Sequence, residues 1–163
     1  MRYWLNGQWL LLLLIQWPLT AIAGVSASDE VQALIDRAEA PEGVVFEIVS
    51  GQSRYLDWAL PEAARLSMRL REAFPGLDIA IVSHGTEQFA LTRERLEHNA
   101  PLNSTLAGLN SSQIPVHVCG TYAERRGVAE EAFSDRVDVA AEGPAQINDY
   151  LKLGYVRIRI TNN

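Results

Sequence analysis

The chain of 163 residues carries 14 Lys and Arg against 20 Asp and Glu, a formal charge of -6, and 48% of it is apolar. That suits one globular domain with a sizeable core, and the acidic balance excludes a nucleic-acid binder, because no basic stripe exists to neutralise phosphates. A single cysteine, Cys119, excludes an internal disulfide, so stability must come from packing.

Residues 1–23 read as a secretory signal peptide. Arg2 precedes the apolar run Leu10 to Ile15, and Ala21-Ile22-Ala23 supplies a small-residue cleavage site, with Val25-Ser26-Ala27 as a second candidate. An uncleaved anchor would want about 20 unbroken apolar residues, whereas Gln16 and Pro18 interrupt this run. The expected location is therefore periplasmic or secreted, with no membrane contact after cleavage. Three of the four tryptophans leave with the leader, and Trp58 stays.

Residues 24–43 read as a lead-in with one short helix, capped by Ser28-Asp29 and carrying the stripe Val31, Leu34, Ile35, Ala38. Residues 44–163 form the domain. Val44 to Val49 is a first strand, apolar throughout except for Glu47, as expected where a sheet is covered on both faces. A helix follows from Asp57 to Phe74, with Ala59, Ala63, Leu66 and Leu70 on one face and Arg65, Arg69 and Glu72 on the other. Pro61 is expected in its first turn, where backbone N–H groups lack intrahelical partners anyway.

Leu77 to Ser83 is the second strand and runs into His84-Gly85. Helices are expected at Thr86 to Glu97 and Leu102 to Leu109, before the strand that ends at Cys119. A short helix at Val128 to Phe133, a strand at Val137 to Ala141 and a helix opening at Gly143-Pro144 and closed by Gly154 come next. In the last strand Val156, Ile158 and Ile160 alternate with Tyr155, Arg157 and Arg159, the pattern of a strand with one wet face or of a protected edge. This order predicts an α/β fold, a three-layer α/β/α sandwich around a mostly parallel five-stranded sheet.

Cys119 ends a buried strand before a turn and a helix start. Ligands of α/β sheets bind at that end of strands, and a following helix N-terminus favours the thiolate, as would Arg125 or Arg126 if they turned inward. The bland alternative is a small buried hydrophobe finishing a core strand. If the strands are parallel, His84 shares the edge with Cys119.

Val82-Ser83-His84-Gly85, then Val116-His117-Val118-Cys119-Gly120 with Arg126-Gly127-Val128, and the ending Ile147 to Ile158 together resemble the DsrE/DsrF-like family, in particular its exported bacterial members. The resemblance implies a five-stranded α/β/α fold, a homotrimer or homohexamer, and sulfur relay through a cysteine persulfide. Cys119 stands at the family's cysteine and His84 at its His-Gly turn. Relatives with Cys-x-Asn-Thr carry an amide two residues after the cysteine, where this chain has Thr121, so no amide contact is expected there.

Two functional readings remain open beside a third, a cysteine- or histidine-dependent enzyme of another class, for which no motif occurs. In one, Cys119 accepts a sulfane sulfur from an unidentified donor protein and passes it to an acceptor. His84 is then the polar or proton partner, and Gly85, Gly120, Thr121, Arg125 and Arg126 surround the anionic sulfur. In the other, the chain is a non-catalytic oligomeric adaptor with a structural cysteine. No cofactor is expected, since neither G-x-G-x-x-G nor a P-loop occurs, and no metal, since no Cys/His pair has zinc-ligand spacing. His117, alternating with Val116 and Val118, is expected to be a hydrogen-bonded core histidine, and His98 a solvated one.

Overall fold

The computed structural model describes residues 25–162. The signal-peptide reading of residues 1–23 lies outside the described residues.

Five apolar runs pair side by side into one sheet: β1 (Gly43–Ile48), β2 (Asp78–Ser83), β3 (Val116–Cys119), β4 (Asp138–Ala140) and β5 (Tyr155–Arg159). Every pairing is parallel and the order is β4-β3-β2-β1-β5. Successive residues of a strand face opposite ways. Val44, Phe46, Ile48, Ile79, Ile81, Val116, Val118 and Ile158 therefore enter the main core, whereas Val45, Ala80 and Val82 line a smaller one.

Helix placement follows from crossover handedness. From β1 to β4 the chain steps one way across the sheet, so right-handed connections put the intervening helices on a single face. That face carries α1 (Ala27–Asp36), α2 (Leu56–Ala73), α3 (Arg93–Glu97), α4 (Ala100–Ser111) and α5 (Gly120–Arg125). The return from β4 to β5 runs the other way, and among the described residues only α6 (Gly143–Lys152) covers the opposite face, through Ile147 and Tyr150. The carboxyl ends of β3 and β4 thus send their chains to opposite faces, which opens the crevice where α/β sheets hold ligands.

Several expectations are corrected. Helix α1 is capped by Ser26 in a capping box with Asp29, two residues before the expected cap, and Ala38 lies beyond its end. Helix α2 opens at Leu56, so Pro61 sits past the first turn and removes an amide from the helix ladder. The earlier start has a cause: Tyr55 is already in the helical region, and its hydroxyl donates to the Ile160 carbonyl at 3.0 Å.

The expected helix from Thr86 to Glu97 is two pieces, a 3-10 helix (Thr86–Leu91) and α3, broken where extended Thr92 bridges Phe133. The same bridge limits the helix expected at Val128 to Phe133 to a 3-10 turn, Glu130–Ala132. Phe133 instead stacks on Phe89 in the core.

Candidate functional site

Ser83 of β2 pairs with Val118 of β3, so the next residues, His84 and Cys119, are cross-strand neighbours. Ser83 and Val118 are buried toward the main-core side, and alternation turns His84 and Cys119 toward α6. Gly143, the first residue of α6, lies directly over both. A Cβ added there would sit 2.5 Å from the His84 Cβ and 3.4 Å from the Cys119 Cβ, which places those two atoms within about 6 Å of each other. Only a glycine lets the α6 start approach this closely.

Cys119 is 6% exposed. The fully buried Gln88 holds its main chain: the Cys119 N–H donates to Oε1 at 2.7 Å and Nε2 donates to the Cys119 carbonyl at 3.2 Å. Next to it Glu87, also fully buried, accepts from the Ser50 N–H, the Ser83 hydroxyl and the Gly85 N–H at 2.7, 2.9 and 2.9 Å. Three donors on one carboxylate tie the loop after β1 to the loop after β2, and so fix where His84 leaves its strand.

Glu47 is the charged exception in β1, and its side chain is 6% exposed. It points toward the α6 face, where His84 Nε2 lies 3.0 Å from Oε1. Arg159 donates through Nε at 3.1 Å to Oε2, and Arg157 Nη1 stands 3.7 Å from the same oxygen. Burial raises the Glu47 pKa, but the hydrogen bonds and charges of His84 and Arg159 outweigh it and hold the carboxyl below the usual range. The edge-strand arginines thus bind a buried carboxylate as well as guarding an edge.

The other candidate residues are arranged differently. The Gly85 N–H is committed to Glu87, and the Thr121 N–H and hydroxyl both donate to the Ala141 carbonyl, at 3.0 and 2.7 Å. These donors are therefore engaged within the fold rather than open to a sulfur anion. Arg125 at the end of α5 and Arg126 just after it are exposed, and Arg126 lies over the Tyr122 ring. Helix α5 has only six residues, which leaves little dipole to act on the thiol. Gly120 and Thr121 line a cleft of about 510 Å³ with Ala123, Val139 and Ala141 at the β3/β4 crevice, while Cys119 turns to the other face.

His117 also faces α6, and its Nε2 lies 2.8 Å from the Tyr150 hydroxyl. Burial pushes its imidazole below the usual histidine value, against a weaker upward pull from Asp138. His98 is exposed at the end of α3. Among the described residues no group of three His, Cys, Asp or Glu side chains is placed to hold a metal.

Sequence reasoning missed Gln88 and the role of Glu47. Gln88 lies in a 3-10 helix without periodicity, and nothing in the sequence marks it. Glu47 had a signal, a lone carboxylate in an apolar strand.

The family model described as DsrE/DsrF-like matches residues 45–159. A protein of unknown function from Methanobacterium thermoautotrophicum, MTH1491, superposes with a TM-score of 0.59 at 17% identity, covering 71% of this chain and 96% of that one. The ychN protein of E. coli superposes with a TM-score of 0.53 at 18% identity, covering 72% and 99%. No curated protein sequence matches. At these identities the two structures establish likeness of fold.

Proposed function

The chain belongs to the DsrE/DsrF-like family, matched over residues 45–159, and from that premise we propose that it is an exported sulfane-sulfur carrier acting through the Cys119 thiol. One observation carries the reading: Cys119 ends β3 and His84 directly follows β2, the parallel strand beside it, so both lie on the same face at the carboxyl edge of the sheet.

The chemistry needs no cofactor. The Cys119 thiolate attacks the outer sulfur of a donor persulfide, R–S–SH. The donor S–S bond breaks, R–S⁻ leaves and takes up a proton, and Cys119 becomes Cys119–S–SH. An acceptor thiolate then attacks that outer sulfur and frees Cys119 again, so no net oxidation occurs. His84 is the proton partner of the thiol. Cys119 is only 6% exposed, with the start of α6 over it, so this reading requires a donor to displace that cover.

Self-association as a homotrimer or homohexamer fits the same surface. Among the described residues helix α6 is the one helix on its face of the sheet, and Leu151, Leu153, Arg157 and Arg159 stay exposed beside it.

The exposure of Cys119 favours a second reading, a non-catalytic adaptor with a structural cysteine. Incubating the folded protein with a low-molecular-weight persulfide and measuring intact mass separates the two. A gain of one sulfur that is lost on mild reduction and absent from Cys119→Ser supports the carrier. A mass that changes only after denaturation assigns the chain to the adaptor reading.

A further inference from the structure

Toward the carboxyl edge of the sheet Glu47 on β1 is level with Arg159 on β5, and two residues further along lie Cys119 at the end of β3 and His84 just past the end of β2, all four on the α6 face. Burying the Glu47 charge in a central strand is costly, and an apolar residue would fill the position more cheaply. The arginines do not require it, since Arg157 and Arg159 are about half exposed, at 48% and 53%, and could stay hydrated. The group that needs Glu47 is His84, whose side chain is 13% exposed and whose Nε2 is in contact with the carboxylate.

Resting on the thiol-carrier reading above, we infer that Glu47 is a positioning residue for Cys119: clamped by Arg159 and Arg157, it fixes the proton of His84 on Nε2 and leaves Nδ1 as the base for the thiol. An ionised carboxylate only accepts hydrogen bonds, so the 3.0 Å contact with Nε2 requires the proton to be on that nitrogen. Nδ1 of the neutral ring is then an acceptor on the residue that follows β2, whose Cβ lies within about 6 Å of the Cys119 Cβ. Transfer of the Sγ proton to Nδ1 gives a thiolate and an imidazolium, and Glu47 supplies the opposite charge that the imidazolium faces. No other reactant takes part. The charged groups around the carboxylate are His84 from β2 and Arg157 and Arg159 from β5, with Glu30 of α1 acting on Arg157 from beyond.

The test compares wild type, Glu47→Gln and Glu47→Asp in the full chain, reading iodoacetamide alkylation of Cys119 under native conditions at about pH 7 and about pH 9, where thiols ionise unaided. Glu47→Gln keeps an acceptor for Nε2 but removes the charge. It is expected to slow the reaction about tenfold at the lower pH and leave the higher one unchanged, with Glu47→Asp restoring most of the loss. Equal slowing at both pH values means altered access and overturns the inference, as does an unchanged ratio.

Should Glu47→Gln fail to fold, the imidazole ¹⁵N spectrum of wild type decides. A proton on Nε2 with unprotonated Nδ1 sustains the inference, and the reverse tautomer overturns it. Failure of the carrier reading looks different: wild-type Cys119 is then inert at both pH values until denatured, and both proposals fall.

Discussion

The Gln88 carboxamide does for Cys119 what a neighbouring strand would have done. Strand β2 ends at Ser83, where its pairing with Val118 stops, and the chain turns away at His84 and Gly85. Cys119 would otherwise lose both ladder partners on that side. The amide of Gln88 offers one acceptor and one donor in the geometry of a peptide group, and Cys119 stays extended at φ -91 and ψ 109.

Gln88→Ala is therefore expected to leave a buried N–H and C=O unpaired and open a small cavity, costing about 2–4 kcal/mol. Urea unfolding measures the loss, and hydrogen exchange at the Cys119 amide locates it. A variant within about 0.5 kcal/mol of wild type, a change typical of inconsequential surface sites, would sink the argument.

Gly143→Ala tests the cover over the thiol. The added methyl would lie 2.5 Å from the His84 Cβ, a contact that must be relieved by moving α6 or the strand ends. Overpacking of this kind costs about 1–3 kcal/mol. Relief by lifting the start of α6 also uncovers Cys119, so native alkylation should quicken while stability falls. Faster alkylation without destabilisation, or the reverse, would show that Gly143 is not the cover.

Stability should fall in acid in two stages. Burial holds the folded His117 imidazole below its ordinary 6.5, so the unfolded chain protonates first and stability is lost as pH falls from 6.5 through the lower folded value. Glu47 has a folded pKa below 4.5 because its hydrogen bonds and charges outweigh burial. Its contribution is complete above 4.5 and is lost as pH falls through the folded value. Urea midpoints between about pH 3 and 8 should show both stages, the upper absent from His117→Gln and the lower reduced in Glu47→Gln. A wild-type midpoint that is flat from pH 7 to 5 would contradict the assignment to His117.

What was legible in the sequence was whatever depended on near neighbours along the chain. Apolar runs such as Val44 to Ile48 and the α2 stripe of Ala59, Ala63, Leu66 and Leu70 give strands and helices locally, and crossover handedness then leaves few ways to assemble them. The strand-end rule placed Cys119 and His84 on one edge for the same reason. Long-range pairing was not legible. Glu47 meets His84 across 37 residues and Arg159 across 112, and no periodicity encodes either contact. The break at Thr92 likewise depends on Phe133, which draws the chain out of helix to complete an isolated bridge.

Helix α1 bears on where an exported chain would begin. Ser26 caps it by accepting from the Asp29 N–H at 3.2 Å, and the Asp29 carboxylate accepts from the Ser26 N–H and hydroxyl at 3.2 and 2.7 Å. Ala27, Val31 and Leu34 are buried in the main core, and Arg69 of α2 reaches Ser28 and Gln32. Cleavage after Ala27 would remove the cap and one core residue and leave a charged amine at the positive end of the helix, each unfavourable by about 0.5–1 kcal/mol. Cleavage after Ala23 keeps all of them. The mature protein is therefore expected to start at Gly24, and a chain starting at Ser28 should unfold at lower urea. Terminal sequencing of the secreted protein checks the first point, and a start at Met1 would reject the export reading altogether. Comparing urea midpoints of chains begun at Gly24 and Ser28 checks the second, and equal midpoints would show that the Ser26 cap contributes nothing.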